Sequence, residues 1–328
     1  MVRIYKGIPI GYITSYWRVT MENDAVKMVQ LADIEYSVKE ILNDFVRIVE
    51  AQFGQVGPMV KSLEKAVEQK KVSGWVVCHK GTLQGIVVYS RQKDMGRINF
   101  FHILPGYQDA GRLLIEKAVN TLQEAGVDCI ISEALILVDI TAENIFEGLG
   151  FNIYWRRIMS RTMTNDIPVS RVPSGYSVIP WDDSYIEEVI TVLYEANQEG
   201  IDRFIYPEFM TQEGTAHMVR GLRAGAAGPF DENTSMLALH EGTVCGAILC
   251  AQQLSKEGFI SEMAVSPHHQ KKRLGTVLLT KSLQAAANQG LKRVRLGVTE
   301  KNTAAVTLYC NLGFTTDVRI PAFVWTKS

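Results

Sequence analysis

Two stretches of the chain share one pattern of apolar runs, charged residues and glycines. Residues 75–90 read W-V-V-C-H-K-G-T-L-Q-G-I-V-V-Y-S, and residues 236–251 read M-L-A-L-H-E-G-T-V-C-G-A-I-L-C-A. In each, an apolar run ends at a histidine, a charged residue and Gly-Thr follow, and a second apolar run begins after another glycine. Short apolar runs separated in this way are typical of β-hairpins. The pattern therefore predicts two hairpins, each turning at its first glycine.

The likeness between the two halves continues beyond the hairpins. The further paired landmarks, in chain order, are Pro105 and Pro267, Leu113-Leu114 and Leu278-Leu279, Gly126 and Gly290, and Gly150-Phe151 and Gly313-Phe314. The offsets run from 161 to 165 residues, so we interpret the chain as two copies of one unit of about 160 residues.

The repeat predicts where the domains lie. The first domain is predicted over 1–163 and the second over 176–328. Residues 164–175 contain Pro168, Pro173 and Gly175 and are interpreted as the linker. Residues 1–22 lie outside the repeat and are predicted to form two short strands.

Each copy has the same predicted order of elements. The first copy has a strand (26–31), two helices (37–51 and 58–69), the hairpin, a strand (98–104), a helix (111–125) and a strand (129–137). The second copy has the corresponding elements at 176–179, 184–197, 211–223, 259–265, 274–289 and 293–298. The helices follow from apolar positions three or four residues apart, as for Leu278, Leu279, Leu283 and Ala286. A short helix ending at Gly-Phe and terminal strands complete each copy. This order predicts an α/β fold of two tandem domains, each with a mixed, mostly antiparallel sheet flanked by helices.

Composition narrows the function classes. The chain has 328 residues, of which 47% are hydrophobic, and a formal net charge of −1. A general binder of nucleic acid or of membrane surfaces would carry a basic excess, so neither partner is expected. The five cysteines and six histidines show no metal-ligand spacing, and no apolar run approaches 18 residues. We expect a cytoplasmic protein, monomeric or homodimeric, with no metal.

Residues 263–279, M-A-V-S-P-H-H-Q-K-K-R-L-G-T-V-L-L, place a basic loop between a predicted strand and a predicted helix. Backbone N–H groups at a helix N-terminus, together with the helix dipole, favour an anion. The positive charges of Lys271, Lys272 and Arg273 add to this preference. The loop is therefore interpreted either as a phosphate site or as a charged surface turn.

Residues downstream of the loop favour the first interpretation. The residues that carry the pattern are Val265, Pro267, Gln270, Gly275, Asn302, Ala305, Leu308, Tyr309, Gly313 and Phe314. In this order and spacing they resemble the motifs of the GNAT N-acetyltransferase superfamily, with the likeness extending from Thr234 to Trp325. The arrangement of two copies is similar to that of tandem GNAT enzymes such as mycothiol synthase, in which the C-terminal half is catalytic.

The resemblance implies acetyl-CoA as cosubstrate and assigns residues to it. The loop residues Gln270, Lys271, Lys272, Arg273, Leu274, Gly275 and Thr276 would hold the pyrophosphate. Met263, Ala264 and Val265 would pair their backbone with the pantetheine arm, and the Val265 N–H would polarise the thioester carbonyl. Asn302 would contact the cofactor arm. One position departs from the pattern, because Arg273 stands where the family has its first loop glycine.

The resemblance also implies catalytic roles. Tyr309 matches the tyrosine that returns a proton to the departing thiolate as general acid. Glu262, on the strand before Val265, is the candidate base, acting directly or through a water. The alternative for Glu262 is a polar residue on an exposed part of a central strand.

The first copy has none of these groups in place. In the alignment of the two copies, Phe146 stands opposite Tyr309, Asp139 opposite Asn302 and Phe100 opposite Glu262. The loop after Pro105 is three residues shorter than its counterpart and has no cation before Arg112. We therefore expect the first domain to be non-catalytic.

The acceptor is the least defined partner. Acidic residues cluster ahead of the motifs, and the segment 195–208, with Asp202, Phe204 and Tyr206, would suit a cationic or amphipathic amine; a solvated helix face is the alternative. We expect acetyl transfer to a primary amine of a small molecule or peptide, with a cationic antibiotic or polyamine as examples. A non-catalytic sensor of CoA or a metabolite, and a transferase of a longer acyl group, are the alternative functions.

Overall fold

The computed structural model describes residues 17–21, 24–34, 37–53, 57–133, 141–164, 166–253 and 256–327. The chain divides into two compact units. The first comprises Met1–Ile153 and Pro321–Ser328, and the second comprises Tyr154–Ile320. Most of the N-terminal segment 1–22 lies outside the described residues, which include one strand of it, Trp17–Met21.

The elements of the first unit are, in chain order, β1 (Trp17–Met21), β2 (Asp24–Gln30), α1 (Lys39–Phe53), α2 (Gly57–Glu68), β3 (Ser73–His79), β4 (Thr82–Gln92), β5 (Met95–Ile103), α3 (Gln108–Glu124), β6 (Cys129–Ser132) and α4 (Thr141–Gly148). Strands β1 to β6 pair in sequence order. All these pairs are antiparallel except β5 with β6, which is parallel. The first unit is therefore a mixed, mostly antiparallel sheet.

The remaining elements are β7 (Asn152–Thr162), β8 (Tyr176–Pro180), α5 (Ile186–Asn197), α6 (Gln212–Arg223), β9 (Met236–His240), β10 (Thr243–Gln252), β11 (Glu257–Val265), α7 (Leu274–Asn288), β12 (Arg293–Thr299), α8 (Thr303–Asn311) and β13 (Thr315–Thr326). In the second unit the strand order is β8-β9-β10-β11-β12-β7. Only β11 and β12 are parallel in this series. This sheet has the same mixed pattern as the first.

The last strand of each copy pairs within the sheet of the other unit. Residues 156–162 of β7 pair with β12 in the second unit, whereas residues 323–326 of β13 pair with β6 in the first. The compact units consequently change at 153/154 and 320/321, not at the predicted linker 164–175. The physical reason is the long-range pairing of the two terminal strands, which local composition around the linker does not encode.

Both predicted hairpins are present. β3 pairs with β4 and β9 pairs with β10, each antiparallel. The two turn residues have positive φ in both hairpins: 50° and 78° at Lys80-Gly81, and 51° and 84° at Glu241-Gly242. Two-residue turns with two positive φ angles match the twist of the strands they join, which explains the charged residue and glycine in the repeated pattern.

Each sheet has a helix layer on both faces. In the second unit, α5 and α6 cover one face through a core that includes Val189, Leu193 and Val219. On the other face α7 and α8 bury the predicted apolar stripe of α7, residues Leu278, Leu279, Leu283 and Ala286. Burying each such leucine contributes about 1.5–3 kcal/mol. Helices therefore cover both faces of this sheet, which opens where two of its own strands separate.

Candidate active site

The site is an opening within the sheet of the second unit. β11 pairs with β12 only from Glu257 to Ile260, although β10 continues to pair with β11 as far as Val265. The strands separate at a β-bulge, because the β10 register skips Ser261. A cleft of about 1040 Å³ lies at this opening. In the part of the chain that the structure describes, one edge of β11 thus has no strand partner along the cleft.

Backbone groups of β11 face the opening in alternation. The Ser266 N–H donates to the Cys245 carbonyl at 2.9 Å, which makes this pair a hydrogen-bonded one. In an antiparallel ladder bonded and non-bonded pairs alternate, so Ala264 faces β10 while Met263 and Val265 direct their N–H and C=O groups to the open edge. The Gln270 side chain donates to the Val265 carbonyl at 3.1 Å, consistent with that direction.

The basic loop ends in an unusual backbone conformation. Lys271 and Arg273 have φ of 60° and 64°, and Arg273 is the N-cap of α7 without a capping side chain. The first helical bond runs from the Val277 N–H to the Arg273 carbonyl at 3.1 Å, so the amides of residues 274–276 precede it. Successive amides around left-handed residues form a concave anion site. Arg273 adopts the left-handed conformation that glycine adopts more easily, which explains a glycine at the equivalent family position.

The structure brings almost all the sequence-predicted site residues to one cleft. Its lining includes Glu262, Met263, Ala264, Val265, Gln270, Lys271, Arg273, Leu274, Gly275, Thr276, Asn302 and Tyr309. Lys272 is the exception, since its ammonium group contacts the Tyr176 hydroxyl instead. The sequence-derived set therefore occupies one continuous surface apart from this side chain.

Tyr309 lies on α8 with 7% of its surface exposed, beside the Phe314 ring at a centroid distance of 5.9 Å. Burial raises the pKa of Tyr309 well above its ordinary value, and the charges of Glu262 and Asp202 raise that pKa further. The phenol is therefore protonated at neutral pH. Glu262 and Tyr309 both line this cleft.

Asn302 has a structural role that its position in the motif does not reveal. Its Oδ1 accepts from the Ala305 N–H at 3.2 Å and so caps α8. Its Nδ2 donates to Oδ2 of Asp202 at 3.5 Å. Asn302 therefore holds the N-terminus of the helix that carries Tyr309.

Two cleft residues were not predicted as site residues. Arg156 lines the cleft, and its guanidinium donates to the Tyr206 hydroxyl. It comes from β7, which the sequence assigns to the first copy, so no local signal connects it with the second. The sequence places Asp202 in an acidic cluster and in the candidate acceptor segment 195–208, without a role of its own. Its side-chain partners are distant in sequence, and no spacing pattern could have indicated them.

The corresponding residues of the first copy lie in an aromatic core. Phe146 is fully buried, with its ring 4.1 Å from that of Phe323 and 5.0 Å from that of Phe151. Phe100 is also buried, against Phe45 at 4.7 Å. Asp139 lies outside the described residues. The absence of catalysis in this copy stays a prediction.

Comparison with known proteins finds a family match in the second half of the chain. Residues 202–314, about a third of the chain, match the acetyltransferase (GNAT) family. The matched range contains the cleft motifs from Asp202 to Phe314, and the predicted superfamily is thereby confirmed.

Curated relatives of the chain are remote. It is 21% identical over 142 residues to N-alpha-acetyltransferase 30 of Schizosaccharomyces pombe, which covers 42% of this chain and 83% of that protein. It is 27% identical over 179 residues to N-alpha-acetyltransferase 30 of Homo sapiens, covering 50% of this chain and 44% of the relative. The chain thus spans less than half of the human protein.

Solved structures share the GNAT fold over nearly the whole chain. A GCN5-related N-acetyltransferase from Sphaerobacter thermophilus has a TM-score of 0.66 at 16% identity, covering 91% of this chain and 95% of that one. A tandem GNAT protein from the clavulanic acid biosynthesis pathway has a TM-score of 0.61 at 17% identity, covering 92% and 98%. The predicted fold of two tandem GNAT-like domains is confirmed.

The described ranges lack two kinds of feature. Across them, no helix combines the length and apolarity needed to cross a membrane. In the same ranges, no group of three or more His, Cys, Asp or Glu side chains is arranged to hold a metal ion.

Proposed function

We propose that this protein transfers the acetyl group of acetyl-CoA to a primary amine in the cleft of its second unit. The observation that carries the proposal is the opening between β11 and β12, where the backbone of Met263 and Val265, the Glu262 carboxylate and the buried Tyr309 phenol face one space. These groups are a backbone edge for the cofactor arm, a base and an acid. The edge would position the thioester, and the base and the acid would accelerate the proton transfers of acetyl transfer.

The cofactor would enter along the basic loop. Its pyrophosphate is expected at the amides of residues 274–276, where the helix dipole and the Lys271 and Arg273 charges favour an anion. The pantetheine arm carries amide groups and would pair with the open edge of β11 as an added strand does. Val265 would then direct its N–H to the thioester oxygen, where negative charge develops during attack.

The proton steps follow from the two side chains. The amine nitrogen attacks the thioester carbon, the C–S bond breaks, and an amide and the thiolate of CoA result. Glu262 would accept the proton that the amine loses, directly or through a water, while Tyr309 would give its proton to the thiolate. The raised pKa of Tyr309 keeps this proton in place until the thiolate forms. A proton returning from Glu262 or solvent to the phenolate completes the cycle.

Peptide α-amines are the first acceptors to test, because two curated relatives are named N-alpha-acetyltransferase 30. Small-molecule amines are the second class, since a tandem structural relative comes from the clavulanic acid pathway. Polyamines and peptide antibiotics belong to the same panel. We place the reaction in the cytoplasm, where the free cysteines of the described chain would remain reduced.

The test is acetyl-CoA turnover with a panel of peptides, polyamines, amino sugars and amino acids. Product should be followed by mass spectrometry, because the exposed Cys310 thiol would react with thiol reagents. We expect acetylated amine with the wild type, and a loss of about 10²-fold or more with Tyr309→Phe. Tight binding of acetyl-CoA without any acetylated product would instead favour a sensor, and preference for a longer acyl-CoA would favour the other alternative.

A further inference from the structure

Asp202 lies where three segments of the second unit meet at the cleft. It belongs to the 3₁₀ turn Ile201–Phe204, which precedes the turn Pro207–Met210. Its Oδ1 accepts from the hydroxyl of Thr299, and its Oδ2 accepts from Nδ2 of Asn302 at 3.5 Å. Its backbone carbonyl accepts from the Ile205 and Tyr206 amides. One residue thus joins the turn, the end of β12 and the start of α8.

The two side-chain partners are fixed themselves. Thr299 ends β12 and is fully buried. Asn302 caps α8 through the Ala305 amide, so its carboxamide connects Asp202 directly to the first turn of that helix. Tyr309 follows Asn302 by seven residues, two turns along the same face. A displacement of the Asp202 carboxylate would therefore move Asn302, and with it the helix α8 that carries the Tyr309 phenol.

Among the described residues, no cation neutralises the charge of Asp202. Its described side-chain partners, Thr299 and Asn302, are both neutral, and within the described ranges it forms no ion pair. Glu300, two positions before Asn302, is different. Its carboxylate accepts from Arg157 at 2.9 Å and from Arg319 at 2.6 Å. Of these two neighbouring acids, Asp202 is the one that leaves a negative charge in the cleft lining.

We propose that Asp202 is a positioning residue of the acetyl-transfer site, which orients the helix carrying Tyr309 and supplies a fixed negative charge to the cleft that both residues line. The Asp202 charge contributes to the raised pKa of Tyr309, in agreement with this geometry. The turn around Asp202 also lines the cleft, so the same residue links that wall of the site to the general acid. The kinetic consequence rests on the proposed acetyl transfer, whereas the structural link does not.

The link between Asp202 and Tyr309 can be tested by a measurement that does not depend on catalytic activity. Tyr309 is replaced by a fluorinated tyrosine whose phenol ionises in an accessible pH range, and its titration is followed by absorbance. Asp202→Asn should shift this titration to lower pH, and Asp202→Glu, which keeps the charge, should leave it nearer the wild-type position. Glu199→Gln is the matched control, because Glu199 is an exposed acid of the same cleft with no described contact to Asp202, Asn302 or Tyr309. Equal titrations in the Asp202→Asn variant and the parent protein would overturn the proposal.

A second variant protects the test against misfolding. If Asp202→Asn does not give a cooperative unfolding transition, Asp202→Ser removes the charge but keeps an oxygen that can accept from Thr299. Its phenol titration should also move to lower pH. An unmoved titration in a folded Asp202→Ser protein would equally contradict the proposal.

Kinetics separate this inference from the proposed function. With an accepted amine, Asp202→Asn should lower kcat by about tenfold, part of the roughly 10²–10⁴-fold that general acid–base catalysis contributes. The Kd of acetyl-CoA, measured by calorimetry, should change much less. An unchanged kcat would contradict the positioning role. If the wild type acetylates no amine, the proposed function fails, while the phenol titration still decides the role of Asp202.

Discussion

The ammonium group of Lys272 donates a hydrogen bond to the Tyr176 hydroxyl at 2.8 Å and lies 5.5 Å from the centre of its ring. The same hydroxyl is 3.0 Å from Nδ1 of His269. Tyr176 begins β8, so one phenol attaches two points of the basic loop to the sheet. The loop conformation is therefore held by a side chain outside the loop, before any anion binds.

Replacing Tyr176 with phenylalanine should weaken acetyl-CoA binding. The ring is retained, but the hydrogen bonds to Lys272 and His269 are lost, and each is worth about 0.5–1.5 kcal/mol. Together the two bonds contribute about 1–3 kcal/mol. If the ligand must then order the loop, this free energy is taken from binding, which corresponds to a roughly fivefold to 150-fold higher Kd. Isothermal titration calorimetry measures the change. Tyr185→Phe is the control, because Tyr185 packs against the core on the other face of the sheet. This variant should bind acetyl-CoA as the wild type does. An unchanged Kd for Tyr176→Phe would show that the loop does not depend on this contact.

The left-handed conformation of Arg273 gives a prediction about stability. A side chain in this region costs about 1–2 kcal/mol, and glycine avoids that cost but loses more freedom on folding. Arg273→Ala and Arg273→Gly both remove the guanidinium. The difference between their free energies of unfolding therefore reports the effect of the backbone conformation alone. We expect the glycine variant to have the higher free energy of unfolding, by about 1 kcal/mol, in urea denaturation. A more stable alanine variant would contradict the assigned conformation.

Tyr309 should make the protein less stable at alkaline pH. In the unfolded chain its phenol ionises with a pKa of about 10, whereas in the folded protein the pKa is higher. The stabilising effect is complete below the unfolded value. As pH rises above it, the unfolded state loses a proton that the folded state retains, so the free energy of unfolding falls by up to about 1.4 kcal/mol per pH unit.

Tyr309→Phe removes this contribution. The difference in free energy of unfolding between wild type and variant should therefore shift in favour of the variant between about pH 9 and about pH 11. Urea denaturation at several pH values provides the measurement. Burial also raises the pKa of Tyr89 and Tyr154, but these residues are present in both proteins and cancel in the difference. A difference that is constant with pH would show that Tyr309 ionises normally.

Local patterns were sufficient for much of this fold. The charged residue and glycine of each hairpin satisfy turn angles that depend on two residues alone, and the stripe from Leu278 to Ala286 depends only on helical periodicity. The motif residues also converge on one cleft, because short connections link β11 to α7 and β12 to α8. Features set within a few residues were thus predictable.

Features set by distant pairing were not. The exchange of the terminal strands depends on the pairing of residues 156–162 with β12 and of residues 323–326 with β6, and both partners are distant in the chain. The bulge at Ser261, which opens the sheet, has no sequence signature of its own. The direction of the Lys272 side chain depends on Tyr176, almost a hundred residues earlier. In each case the deciding contact is remote in the chain.

The last prediction concerns the number of cofactor sites. We expect one acetyl-CoA per chain in a calorimetric titration, bound in the second unit. In the first unit, the position equivalent to Tyr309 is Phe146, packed between the rings of Phe323 and Phe151 with no exposed surface. The helix α3 follows a shorter loop with no cation before Arg112. This loop therefore lacks the positive charges that favour an anion at the corresponding loop of the second unit.

Phe146→Tyr tests whether the first copy differs from the second only in the side chains that it has lost. The new hydroxyl would enter a fully apolar contact, and burying it without a partner costs about 1–3 kcal/mol. We therefore expect a lower melting temperature and an unchanged stoichiometry of one. Lys271→Ala with Arg273→Ala is the matched control in the second unit and should weaken the single site. Two acetyl-CoA molecules per wild-type chain, or a second site that survives the control, would show that the first unit binds the cofactor despite its apolar core.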